Sequence, residues 1–202
     1  MGRVSDALEL VLARHRAIGS PLPTLLRPGV PVERLAKVES DLGVSLPLDV
    51  AELFEHTDGV DHAGWGQRYQ VPPYLAPGMP FPGSAESVGV TIELRTIAAQ
   101  EEALGAPLGM WDATWFAVFP MMAGEAIVAD CADATIWYVW WEGGQCHQVA
   151  PRLAAYLENC ARHMEQNGAV FDLRTGALRV PGAEVSQLPV APMLGGMVRS
   201  PS

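Results

Sequence analysis

Several groupings in this sequence are of types that do chemistry. His56, Asp58, Asp61 and His62 lie close together, and an imidazole beside a carboxylate is the arrangement of a general base or a metal ligand. Their spacing matches no catalytic pattern. A solvated polar turn after a helix accounts for them, and any role they have beyond that is contact with a partner. Asp130-Cys131-Ala132-Asp133 offers a carboxylate pair, but it lacks the further ligands and closing Glu of a calcium loop. Asp favours turns at such places. Cys131, Cys146 (followed by His147) and Cys160 lack the close ligand pairs of structural zinc, and they read as small buried hydrophobes. Ala85-Glu86-Ser87-Val88-Gly89 is the nearest string to a nucleophile elbow, without the first glycine or a preceding strand. No Walker loop or dinucleotide-binding glycine pattern occurs. The residues therefore predict no catalytic group, no metal and no cofactor.

Charge gives a positive signal. Of the chain's 202 residues, those from 38 to 151 hold two basic side chains, Arg68 and Arg95, against sixteen acids. The flanks carry most of the cations, and the formal net charge is −10. Such a field repels nucleic-acid phosphates and speeds encounter with a basic partner. Aromatics add a second signal. Trp137, Trp140 and Trp141 crowd one strand with Tyr138 between them. Alternation puts Trp137 and Trp141 on one face, and Tyr138 and Trp140 on the other.

The elements that position these groups follow from periodicity. Residues 4–18 read as an amphipathic helix, and residues 19–30 as a proline-rich linker. Residues 31–42 and 47–57 read as paired short helices, each opened by a proline. Between them Gly43 suits a left-handed end, and Thr57-Asp58-Gly59 supplies the stop. Residues 61–90 are rich in Pro and Gly, with a short strand expected at 67–71. Residues 88–97 alternate, contain β-branched side chains and read as a strand, followed by a helical turn at 100–104. Strands are expected at 115–120, 126–130, 135–141 and 145–149, the last two joined by Glu142-Gly143-Gly144. A long helix opens at Pro151, with Leu153, Tyr156, Leu157, Cys160 and Met164 inward. A small hairpin brackets Arg174-Thr175-Gly176. The pattern predicts one α+β domain over 1–180, an antiparallel meander sheet with N-terminal helices and a closing C-terminal helix, and a Pro/Gly-rich tail over 181–202.

The stretch 31–59 carries a resemblance. Glu39, Leu42, Gly43, Leu46, Pro47, Val50, Leu53, Phe54, Asp58 and Gly59 fit the string "E-x-x-LG-x-x-LP-x-x-Φ-x-x-ΦΦ-x-x-(N/D)G", with Φ apolar. This pattern resembles the SUKH superfamily, which includes the fungal Smi/Knr cell-wall assembly regulators and many bacterial immunity proteins. Residues 115–119, the strand ending at Asp130 and the helix after Pro151 resemble later family elements, so that the likeness covers roughly 25–167. The segment 61–90 and the tail depart from it.

The resemblance implies a non-enzymatic protein that neutralises a cognate toxin, often a nuclease, by occluding a basic cleft. The residues expected at the interface are the acids Asp58, Asp61, Glu101, Glu102, Asp112, Asp133 and Glu142, with Trp65, Tyr69 and Trp111 as anchors. The alternatives are a regulatory or scaffolding module of the same fold, or an enzyme working in the 61–90 region. No apolar run spans a bilayer, no secretory signal opens the chain, and the odd cysteine count suits a reducing compartment. The expected location is therefore cytoplasmic, with no nucleic-acid or membrane partner. Twelve Arg against one Lys fits a GC-rich bacterial genome.

Overall fold

The structure is a computed structural model that describes residues 3–104, 111–121, 124–140 and 145–181. Helix α1 (Val4–Ala17) buries Val4, Ala7, Leu8, Val11 and Leu12 on one stripe, and its neighbours are the two helices described below as α3 and α6. Residues 19–30 are more than a linker. They hold a 3-10 turn at Leu22–Thr24 and strand β1 (Leu26–Pro28). Helix α2 (Val32–Leu42) ends at Gly43 with φ +67°, and helix α3 (Leu48–His56) follows. Pro31 and Pro47 stand one place before the first helical residue, a difference within the fraying of helix ends. The expected stop is instead strand β2 (Thr57–Val60), antiparallel to β1 with Leu26 opposite Val60.

In the Pro/Gly-rich stretch the expected strand at 67–71 is absent. Helix α4 (His62–Gly66) occupies the start, and the Arg68 and Tyr69 amides both donate to Trp65 O, which prolongs the turn. A short hairpin follows, β3 (Tyr74–Ala76) with β4 (Met79–Pro80).

The expected strand over 88–97 is wrong. Those residues, and the turn expected after them, belong to helix α5 (Ser84–Ala103). Its start is held by a carboxylate from elsewhere in the chain, and its buried residues Ser84, Ser87, Thr91 and Leu94 follow a helical spacing. The β-branched alternation was outweighed by tertiary contacts, as local propensity often is. Thr91 and Ser87 explain the helix's place. The Ser87 hydroxyl donates to Val118 O at 3.1 Å, and Thr91 Oγ1 accepts the Ala117 amide at 3.0 Å. The helix therefore covers the open edge of strand β5 (Trp115–Pro120) and satisfies two of its backbone groups, which would otherwise be offered to another chain.

Strands β5, β6 (Glu125–Asp130), β7 (Ile136–Trp140) and β8 (Gln145–Ala150) form a four-stranded antiparallel meander in that order. The loop containing Trp141 and Glu142-Gly143-Gly144 lies outside the described residues. The register shifts between Ala117 and Phe119, a bulge at the place where α5 bonds to the strand. Phe116, Val118, Phe119, Ile127, Ala129 and Ile136 face the main core with α1, α3 and helix α6 (Leu153–Gln166). Leu153, Tyr156, Leu157, Cys160 and Met164 are inward as the sequence predicts. The opposite face holds a second cluster of Trp115, Val128, Trp137, Val139 and Cys146. Strands β9 (Val170–Phe171) and β10 (Leu178–Arg179) make the small hairpin. All of the expected tail after Pro181 lies outside the described residues.

Three carboxylates from α3 and its exit tie the layers together. Asp49 Oδ2 accepts the Ala154 amide at the start of α6 at 3.2 Å. Glu52 Oε1 accepts the Ser5 hydroxyl at 2.9 Å, the Ser5 amide and Arg3 Nε at the start of α1. Asp58 Oδ1 accepts the Ser84 amide at the start of α5 at 2.6 Å. Each carboxylate meets unpaired N–H groups and the positive end of a helix dipole. Burial works against Glu52's ionisation, but the Ser5 hydroxyl and amide and Arg3 outweigh it and hold its carboxyl below the usual range.

Two predictions follow from this packing. Gly43 and Gly59 both have positive φ, but a Cβ on Gly43 meets open space whereas one on Gly59 would collide with the Pro82 backbone. In urea unfolding, Gly43→Ala should cost about 1–2 kcal/mol, and Gly59→Ala that amount plus roughly 1–3 kcal/mol of overpacking. The second concerns His15, which is 1% exposed, with Nδ1 2.9 Å from Ser20 Oγ and Nε2 2.9 Å from Leu75 O. Desolvation lowers its pKa, only partly opposed by the Leu75 carbonyl. The unfolded imidazole takes up its proton near pH 6.5, before the folded one. Stability should therefore fall as pH drops below about 6.5, by up to about 1.4 kcal/mol per unit. His15→Gln should flatten that slope in urea titrations between pH 7.5 and 5.

Candidate interaction face

Helix α5 separates the expected surface residues into two groups. Ser84, beside Asp58, and Glu101 are about 25 Å apart along the axis at 1.5 Å per residue. The first group, Asp58, Asp61, Trp65 and Tyr69, sits at the start of the helix and is absorbed by the fold.

Asp58, with its side chain 17% exposed, caps α5 and lies 3.8 Å from Arg27. Arg27 Nε also donates to Asp58 O at 2.7 Å. Asp61 caps α4, its Oδ1 accepting the Ala63 amide at 3.1 Å. Trp65 is 2% exposed, and its Nε1–H donates to Val71 O at 2.7 Å. It is an anchor of the fold and offers almost no area to a partner. Tyr69 packs between Trp65, tilted to it, and Phe171, edge-on to it, with centroids 4.7 and 5.5 Å away. Its ring abuts Gly176, and the Gln70 amide donates to Thr175 O at 3.2 Å. The β9–β10 hairpin is thereby clamped onto the 65–71 turn. Asp172 shapes that hairpin, and the amides of Arg174 and Thr175, with the Thr175 hydroxyl, hold its carboxyl below the usual range. His62 lies 3.8 Å from Glu86 and His56 ends α3. The four polar residues of this turn thus spend their two carboxylates on helix starts.

The second group is spread over three places: Glu101 and Glu102 at the end of α5, Trp111 and Asp112 before β5, and Asp133 in the turn between β6 and β7. Arg95 joins the pieces. Its Nη1 donates to Leu42 O at the end of α2, and its Nη2 to Ala113 O, both at 2.6 Å. Its Nε is buried without an acceptor among the described residues. The Thr114 hydroxyl lies 2.7 Å from Asp112 Oδ1 and 3.0 Å from Asp130 Oδ1. Asp130, buried at the end of β6, also accepts the Ala132 amide at 2.8 Å and Trp115 Nε1–H at 3.4 Å. Asp133 accepts the Thr135 amide at 2.9 Å and the Thr135 hydroxyl. Asp130-Cys131-Ala132-Asp133 is therefore a turn in which each carboxylate holds its own backbone. Among the described residues no group of three or more His, Cys, Asp or Glu side chains is placed to hold a metal.

Trp111, half-buried, meets Trp115 edge-on at 5.8 Å, and Trp115 stacks on Trp137 at 6.0 Å. The row of indoles continues from the second sheet face to Trp111, beside Asp112 in the chain. Tyr138 faces the other way, as alternation requires, and its hydroxyl donates to Glu125 Oε1 at 2.9 Å. Glu102 and Asp112 are exposed, Glu101 is half-buried, and Glu142 lies outside the described residues.

Sequence reasoning missed Arg95, Ile92 and Ala99 as parts of this face because it placed them on a strand or left them unassigned. The missed signal was Gly83-Ser84-Ala85-Glu86, whose Glu reaches back to the Gly83 amide at 2.9 Å, the helix-start pattern.

The Cys131 thiol is pushed up to about 11, first by burial and then by Asp130 and Glu39 against the pull of Arg95. Burial pushes Cys160 up to about 12. Both thiols should resist iodoacetamide in the native chain at pH 7.5 and react once urea unfolds it, as mass spectrometry would read.

The family model described as SMI1 / KNR4 family (SUKH-1) matches residues 29–159. Helix α1 and the β9–β10 hairpin fall outside that span. No curated protein matches the chain.

Proposed function

The chain belongs to the SMI1 / KNR4 family (SUKH-1), and from that membership we propose that it is a non-enzymatic binding protein that neutralises a cognate toxin. The observation that supports this reading is the set of exposed acids on α5 and on the loops around β5 that Arg95 ties to it. Glu102, Asp112 and Asp133 are exposed and Trp111, next to Asp112 in the chain, is half-buried, while Arg95 is spent on two backbone carbonyls. A negative rim steers a basic partner and slows its escape less than it speeds its arrival. The aromatic beside it supplies apolar area of the type that dominates interface energies. The toxin's basic cleft, of the kind a nuclease needs for phosphates, is blocked by occupation alone. The protein acts in the cytoplasm of a bacterium on this reading, and no described helix is long and apolar enough to cross a membrane.

A regulatory or scaffolding module is the second reading, favoured by the regulators for which the family is named. Coexpression separates the two. If the gene beside this one encodes a toxic domain, the chain should bind that domain and restore growth. A neighbour whose product is harmless, or whose toxicity the chain leaves intact, would favour regulation.

The face itself is tested by Glu102→Gln, Asp112→Asn and Asp133→Asn combined. Asn keeps the oxygen that holds each turn and removes only the charge. Association with the basic partner should slow about tenfold at low salt and lose most of its salt dependence. Unchanged kinetics in stopped flow would move the contact elsewhere.

A further inference from the structure

The outward side of α5 lacks the charges expected of a solvated helix. Ala85, Gly89, Ile92, Thr96, Ala99 and Ala103 recur at the spacing of one face and stand exposed, Ile92 at 49%. The end of α2 comes against this side. Asp41 and Leu42 of α2, with Ile92, Thr96, Ala99 and Ala103 of α5, line an open groove of about 540 Å³.

Length, shape and charge together indicate what fits there. From Ile92 to Ala103 the groove follows α5 for about 16 Å at 1.5 Å per residue, three turns of a helix. Three of the lining side chains of α5, Thr96, Ala99 and Ala103, are small, with Ile92, Arg95 and Gln100 the larger ones, so another backbone can approach closely along that row. Glu93 shares a helical row with Thr96 and Gln100, and Glu102 follows Ala99 by three, which sets one carboxylate on each flank. Asp112 adjoins through Ala113, which Arg95 holds. The nearby cations are engaged: Lys37 pairs with Asp41 at 2.8 Å, and Arg95 donates to Leu42 and Ala113. Leu42, Ile92, Ala99 and Ala103 give the groove its apolar part, beside Asp41, Arg95, Thr96 and Gln100, and the rims are negative.

We propose that this groove seats an amphipathic helix of the protein partner, apolar on one side with Lys or Arg along its flanks. The assignment rests on the reading of the chain as a binding protein, and it specifies the partner's binding element. A helix laid in such a groove uses apolar anchors at i, i+3, i+4 and i+7, and its flanking cations meet Glu93, Glu102 and Asp112.

The test uses the full chain and calorimetry with synthetic peptides of about eighteen residues, long enough for several helical turns. One arranges Leu and Lys amphipathically, one scrambles the same composition, and one replaces every Lys with Glu. The first should bind at least about tenfold more tightly than the scrambled peptide, and the Glu peptide should not bind. Ala99→Arg, and Thr96→Trp as an uncharged plug, should each weaken the first peptide at least about tenfold with the circular dichroism and melting unchanged. Equal affinity for the first two peptides, or indifference to both substitutions, would overturn the proposal. So would a concentration-dependent dimer that Ala99→Arg dissolves, because the occupant would then be a second copy. Growth rescue discriminates the underlying reading. Rescue that persists in both groove variants removes the groove and leaves toxin neutralisation. Peptide discrimination without any rescue leaves the groove and removes neutralisation.

Discussion

Acceptance of helix N-termini by carboxylates of one short helix and of the strand that leaves it is the interaction on which this structure depends. Helix α3 has nine residues, too few to be stable alone in water. It is held by Val50, Leu53 and Phe54 in the core, and Phe54 meets Phe116 of the sheet edge-on at 6.2 Å. Asp49, Glu52 and Asp58 then receive the starts of α6, α1 and α5. A cap is worth about 1 kcal/mol, but the three act as position markers more than as glue. They set three helices, far apart in sequence, in fixed relation to one small element. The connector before α3 is fixed in the same way, by Glu39 accepting the Leu46 amide at 2.7 Å.

The position of α5 follows from that of Asp58. Seated there, the helix runs along β5 and closes the sheet's edge with two hydroxyls. A hydroxyl can serve a strand's backbone without being part of a strand, and this lets the covering helix satisfy backbone groups of the edge as well as shield it. Buried Ser and Thr on the inner side leave the small and apolar residues outside. The usual amphipathic order is thus weakened in this helix, and a groove is opened against α2.

The acids of the chain divide into two kinds. Asp49, Asp58, Asp61 and Asp130 are spent inside the architecture, each on a backbone amide. Glu93, Glu102 and Asp112 face solvent at the groove. Net charge alone merges the two, although the charge of the second kind is the one that reaches solvent and a partner. Asp112 and Asp133 belong partly to both, because their oxygens fix a turn and their charge still reaches the solvent.

The family, the paired helices about Gly43, the four strands of the meander and the inward face of α6 are readable from the residues alone. Those features rest on local signals: a glycine that alone suits φ +67° without strain, alternation with period two, and apolar spacing with period 3.6. Contacts across the fold, and not the local pattern, make residues 88–97 helical, pair residues 26–28 with residues 57–60, and commit Trp65 and Asp58 to the fold while Glu102 and Asp112 are exposed. Each of those outcomes turns on a partner at long sequence separation, Asp58 for Ser84 or Thr91 for Ala117. A carboxylate has the same letter whether it meets an amide or water, and only the chain's path in space decides which.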